Sequence, residues 1–155
     1  MHLFQSIALK RLGDCHLIRI ANAVDWEPVA RVLESELKRA RERQGGREPY
    51  NQVAMFRALL LGEWFRLSYG KLALALRVRL DFILFCGFDV FDHLPDASTL
   101  NRFSLRLDEH GVAEKARAAV LDQLNKNGIE VIPTNGALRD PIIRHGSFWR
   151  WRLSD

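Results

Sequence analysis

"NQVAMFRALLLGEWFRLSYGKLALALRV", residues 51–78, is the stretch on which the fold turns. Asn51 can cap a helix over "QVAMFRALLLGEWFR", because its side-chain oxygen can take one of the orphan N–H groups of a first turn. That helix is apolar around much of its circumference, the pattern of a helix buried on most sides. A bilayer span needs about 20 predominantly apolar residues, and Arg57, Glu63, Arg66 and Lys71 interrupt this run. It therefore predicts the central core helix of a soluble, cytoplasmic domain with no membrane partner. Ser68 caps a second helix, "YGKLALALRV", directly after it.

Working outward, helical patterns continue on both sides. Upstream, "CHLIRIANAV" reads as a short apolar helix. Asp25 then offers a cap for "WEPVARVLESELKRARER", with Val29, Leu33 and Leu37 on one stripe and a Glu34–Lys38 pair on the wet face. Gly45-Gly46 stops it, and the basic run Lys38, Arg39, Arg41, Arg43, Arg47 suits the negative end of the helix dipole. Downstream, Asp81 begins a short turn, "FILFCG", closed by Gly87. "FDVFDHLP" is a loop with aromatic anchors, Asp96 caps a further helix that Gly111 ends, and "VAEKARAAVLDQLNK" runs to Asn127-Gly128.

Beyond that point the pattern changes. "IEVIPTNGALRDPIIRH" reads as two short β runs around Thr134-Asn135-Gly136. Two strands alone do not make a stable sheet in water, so this stretch looks like the opening of a further domain. In the last ten residues, "GSFWRWRLSD", aromatic and basic side chains interleave, a composition that can stack on nucleic acid. An unstructured terminus is the plainer reading. The chain thus divides into a helical domain over 1–127 and a short remainder over 128–155.

Charge adds a mild hint. Twenty-three basic residues, most of them arginine, exceed nineteen acidic ones by four, and the pI is near 9.4. Arginine is the side chain that matches phosphate and guanine with two parallel hydrogen bonds. Cys15 and Cys86 belong to no C-x-x-C pair, and the five histidines show no metal-ligand spacing, so two reduced thiols and no zinc site are expected. The first residues lack a charged n-region and a cleavage site, so no signal peptide is read there.

The helix after Asp96, within "LPDASTLNRFSLRL" (94–107), carries the functional reading. Leu100, Phe103 and Leu107 fall on one side of a helical wheel. Ser98, Arg102 and Arg106 fall on or near the other, with Asn101 flanking and Leu105 also outward. Ser, Thr, Asn and Arg are the types that bond phosphate oxygens and base edges. A helix-turn-helix needs a preceding helix to brace this one. "SYGKLALALRV" can do so only as a variant, since some twenty residues separate the two.

These segments, taken in order, resemble the N-terminal helical domain of insertion-sequence transposases of the InsH type. The resemblance covers about residues 15–127. It rests on Asp25-Trp26, Leu59-Leu60-Leu61 with Leu67-Ser68, Phe85-Cys86-Gly87, and Pro95-Asp96-x-Ser98-Thr99 with Arg102-Phe103. It implies a mainly α fold containing a variant helix-turn-helix that binds double-stranded DNA at the terminal inverted repeats of a mobile element. It also implies that residues 128–155 are a two-strand start of an RNase H-like catalytic domain. In complete relatives that domain holds two divalent ions, usually Mg²⁺, on two aspartates and a glutamate, which suits in-line phosphoryl displacement.

Asp140 occupies the position of the first aspartate. Arg139 and Pro141 beside it depart from the apolar and small residues expected there, and the usual Gly-Arg-Pro before the core helix is Gly46-Arg47-Glu48-Pro49. One carboxylate does not hold two metals. The expectation is a fragment that binds DNA without cutting it and has no complete metal site and no cofactor of its own. The residues assigned to DNA are Ser98, Thr99, Asn101, Arg102 and Arg106, with Arg47 and Lys71 on phosphates. The competing expectation is a protein-interaction or dimerisation module that forms a homo-oligomer, or a mixed oligomer inhibiting the full-length transposase.

Overall fold

The computed structural model describes residues 3–12, 15–41, 50–89, 93–133, 142–145 and 149–152. Among these, helices α1 (Leu3–Arg11), α2 (His16–Ala23), α3 (Glu27–Arg41), α4 (Gln52–Trp64), α5 (Tyr69–Val78), α6 (Leu80–Cys86), α7 (Ala97–Glu109) and α8 (Val112–Lys126) precede three short strands. The fold is mainly helical with a short strand region, as the periodicities predict. Helix α1 has no apolar stripe, so periodicity did not reveal it. It rests on α6, with Ala8 buried.

Helix α4 is the centre. The Asn51 side chain accepts from the Ala54 N–H at 3.1 Å, which satisfies one orphan donor of its first turn. Met55, Phe56, Leu60, Leu61 and Trp64 are all buried, and α3, α5, α6 and α7 each touch it. Gly62 permits the close approach of α5: a methyl group there would lie 3.1 Å from Leu72 Cδ2. The helix ends in a tight turn in which the Leu67 N–H donates to the Gly62 carbonyl at 2.9 Å. Arg66 takes the left-handed conformation (φ 49°) at the position where glycine is usual. Ser68 then caps α5, accepting from the Lys71 N–H at 3.2 Å.

Aromatic contacts knit the other helices to this centre. Phe85 of α6 meets Trp26 at 6.0 Å and Trp64 at 5.7 Å, both edge-on. Trp26 donates its indole N–H to the Ala21 carbonyl at 3.0 Å. The Asp25 carboxylate accepts from the Glu27 N–H at 3.0 Å, so the expected cap for α3 forms. The Gln123 side chain of α8 clamps the Asp25 backbone from both sides, accepting at 2.6 Å and donating at 2.7 Å. Val29 and Leu33 are buried as the stripe requires. The side chains of Leu37 and Lys38 lie outside the described part, whereas Glu27 and Arg31 form an i,i+4 ion pair at 3.5 Å.

The strands are β1 (Ile129–Ile132), β2 (Ile142–His145) and β3 (Trp149–Arg152), in an antiparallel sheet of that order. Ile129 pairs with His145, and Ile142 with Arg152. The sequence predicted two strands followed by an unstructured tail; the tail instead contributes a third strand. A second partner for β2 is what two isolated strands lack. Ile129 is buried, which ties β1 to the helical core beneath α8. Among the described residues no helix is long and apolar enough to cross a membrane.

Candidate nucleic-acid interface

Helix α7 begins on Asp96, whose carboxylate accepts from the Thr99 N–H at 2.8 Å. Its position is set from behind, where Tyr50 OH, just before α4, donates to the Leu94 carbonyl at 3.4 Å. Leu100, Phe103 and Leu107 are buried, as the wheel predicts. Full burial of such side chains stabilises docking by about 1.5–3 kcal/mol each. The opposite face is open: Ser98, Asn101, Arg102, Leu105 and Arg106 are exposed, and Thr99 is half-buried. The Arg106 guanidinium lies over the edge of that docked face, 5.8 Å from the Phe103 ring centre.

Helix α5 packs directly against α7 in spite of the residues between them, and α6, which lies between the two in sequence, packs on α2, α4 and α5. Leu72, Ala73 and Leu76 of α5 point into the core. Lys71 and Arg77 are exposed. The hydrogen bonds from the Thr99 backbone and hydroxyl hold the Asp96 carboxyl below the usual carboxylate range, and the nearby charges of Arg102 and Arg77 add to this. The charges of Arg77 on α5 and of Arg102 on α7 thus both act at the start of α7.

Five assigned residues, Ser98, Thr99, Asn101, Arg102 and Arg106, therefore lie together on α7, and Lys71 sits on the neighbouring helix. Arg47 and Asp140 lie outside the described residues. Arg77 was missed by the sequence reading. Its signal was available, since it continues the wet stripe of α5 that begins at Lys71.

Other charged and polar groups are committed to the fold. Glu63 of α4 receives a bidentate contact from Arg117 of α8, with Nε at 2.8 Å, and this raises the Arg117 pKa. The pair stands at the edge of a cavity of about 410 Å³ between α4, α5, α7 and α8, lined mostly by apolar side chains such as Phe56, Leu59 and Leu72. Arg57 lies 4.2 Å over the Trp26 ring and 5.3 Å from that of Phe85. Burial pulls its guanidinium down to about 10, which still leaves it charged at neutral pH. Burial pushes the neighbouring Cys86 thiol up, so it stays protonated and unreactive. Cys15 and Cys86 are both free thiols. Among the described residues no three His, Cys, Asp or Glu side chains gather as a metal site.

No solved structure matches the chain significantly. The model of the family described as Transposase domain (DUF772) matches residues 7–106, a span that runs from within α1 to Arg106 in α7 and includes α4, α5 and most of α7. A match over well more than half of the chain, coinciding with the helices that build the arginine-bearing face, shows that this protein belongs to the transposase domain family.

Proposed function

We propose that this chain is the DNA-binding part of an insertion-sequence transposase and that α7 reads the terminal inverted repeats of its element. The observation that carries the reading is the division of α7. Its apolar stripe is fully docked, so the Ser98, Asn101, Arg102 and Arg106 face is rigidly presented to a partner. Those side chains match major-groove recognition, with arginine on guanine O6 and N7 and asparagine on adenine. Helices α5 and α7 form a variant helix-turn-helix, in which α6 occupies the place of the usual short turn. The resemblance places Asp140 at the first of the metal-binding carboxylate positions, and two-metal chemistry needs more than one.

Fluorescence anisotropy with a duplex of the repeats that flank the coding sequence, against a scrambled duplex of equal length, tests this. The repeat binds more tightly, and log K falls with log salt at a slope of about −0.9 per phosphate contacted. Arg102→Ala with Arg106→Ala lowers repeat affinity about tenfold or more, since each bidentate base contact contributes about 1–3 kcal/mol. Equal affinity for the scrambled duplex, or no binding at low salt, refutes the proposal.

One observation favours a second reading. Leu105 is 52% exposed at the middle of the outer face of α7, a position suited to self-association or to a mixed oligomer with a full-length transposase. In that case Leu105→Ser halves the particle mass seen by sedimentation, while the double arginine variant leaves it unchanged.

A further inference from the structure

Packing leaves the outer face of α5 unoccupied. With Leu72, Ala73 and Leu76 turned inward, Lys71, Leu74, Arg77 and Val78 share the opposite arc, and all four are exposed. Leu74 and Val78, one turn apart, are 60% and 72% exposed. The two make an apolar pair on the open face, and each has a cation close by in sequence. Helix α5 carries no acidic residue. Helix α5 packs against α7, and the charge of Arg77 reaches the start of α7, where it acts on Asp96.

We propose that the outer face of α5 is a second DNA-contacting surface, on which Arg77 joins Lys71 in binding phosphate oxygens while Leu74 and Val78 pack against sugar and thymine-methyl groups of the same duplex. The inference rests on the reading of α7 as the recognition helix. Charge identifies the occupant. A second copy docking through this face would bring Lys71 and Arg77 against their own equivalents, with no acid on α5 to offset the repulsion. A polyanion meets both cations with the opposite sign. Arginine at position 77 presents a planar fork that fits phosphate. Apolar contact with thymine methyls is a regular part of base-edge recognition.

The test uses the full chain, the repeat and scrambled duplexes, and a salt series, with sedimentation to report mass. Arg77→Gln weakens binding to both duplexes alike and reduces the salt slope by about 0.9, the value of one phosphate. Leu74→Ser with Val78→Ser lowers repeat affinity about fourfold or more, the worth of about one methylene withdrawn from water, and leaves the mass unchanged. Both sites are exposed, and circular dichroism confirms that each variant is folded. The proposal is overturned if the α5 variants bind with the wild-type affinity and slope, or if the Leu74/Val78 variant changes mass but not DNA affinity. The two readings fail separately. If Arg102→Ala leaves the preference for the repeat intact while Arg77→Gln lowers the slope, α7 loses its role and α5 keeps its own; a wild-type chain that binds neither duplex removes both.

Discussion

Helices α4 and α7 are each thirteen residues long, and each starts on a side-chain cap, Asn51 and Asp96 respectively. Both carry charged residues. In α4 the fold consumes those charges: Arg57 is enclosed over Trp26 and Phe85, its Nε has no hydrogen-bond partner, and Glu63 is held by Arg117. In α7, Arg102 and Arg106 remain exposed beside a docked apolar stripe. An arginine is available to a ligand only where packing leaves its helix one-sided. Helix composition alone does not separate the two cases; the width of the apolar arc does.

The largest effects should fall on the inner faces, where the helices are alike. Leu61 of α4 and Leu100 of α7 are both fully buried, so Leu61→Ala and Leu100→Ala should each cost about 2–5 kcal/mol in urea unfolding. A loss below about 1 kcal/mol for Leu100→Ala would show α7 to be loosely docked and remove the basis for a rigid recognition face. The arginines come next and should diverge. Arg57→Ala should cost about 1–3 kcal/mol by losing its packing and ring contacts. Arg57→Met, which keeps the bulk and removes the unsatisfied Nε, should cost less. Arg102→Ala should change stability by no more than about 0.5 kcal/mol. Equal losses at positions 57 and 102 would erase the contrast.

The smallest effect concerns how the two helices end. Arg66, one residue past the Phe65 cap of α4, sits at φ 49°, as Gly111 does at the matching position after α7 (φ 64°), whereas the cap residue His110 itself sits at φ −97°. Arg66→Gly should stabilise the protein by about 0.5–1 kcal/mol, because glycine adopts the left-handed region without a Cβ clash. His110→Gly should gain nothing. Thermal melts of the two variants separate these outcomes by sign.

Much of this architecture was legible in the residues. Asn51, Ser68 and Asp96 announced their helices because a side-chain oxygen three residues before a free N–H is a local arrangement. The Leu100, Phe103 and Leu107 stripe announced which face of α7 would be buried. Less was legible where partners are distant. The clamp of Gln123 on Asp25 joins residues 98 apart, and no periodicity encodes it. The third strand was invisible because four residues of mixed character become a strand only when a neighbour supplies the ladder.

The candidate site divides in the same way. That α7 has a polar, arginine-bearing face follows from the spacing of its residues, since a helix of 3.6 residues per turn fixes which side chains share a side. That Arg77 belongs beside that face, and that Arg57 and Glu63 do not, was decided by the docking of α5, α6 and α8 around α4. Local geometry sets the direction in which a side chain leaves its helix. Which other helix stands in its path depends on contacts between segments far apart in the chain, and these form only when the core closes.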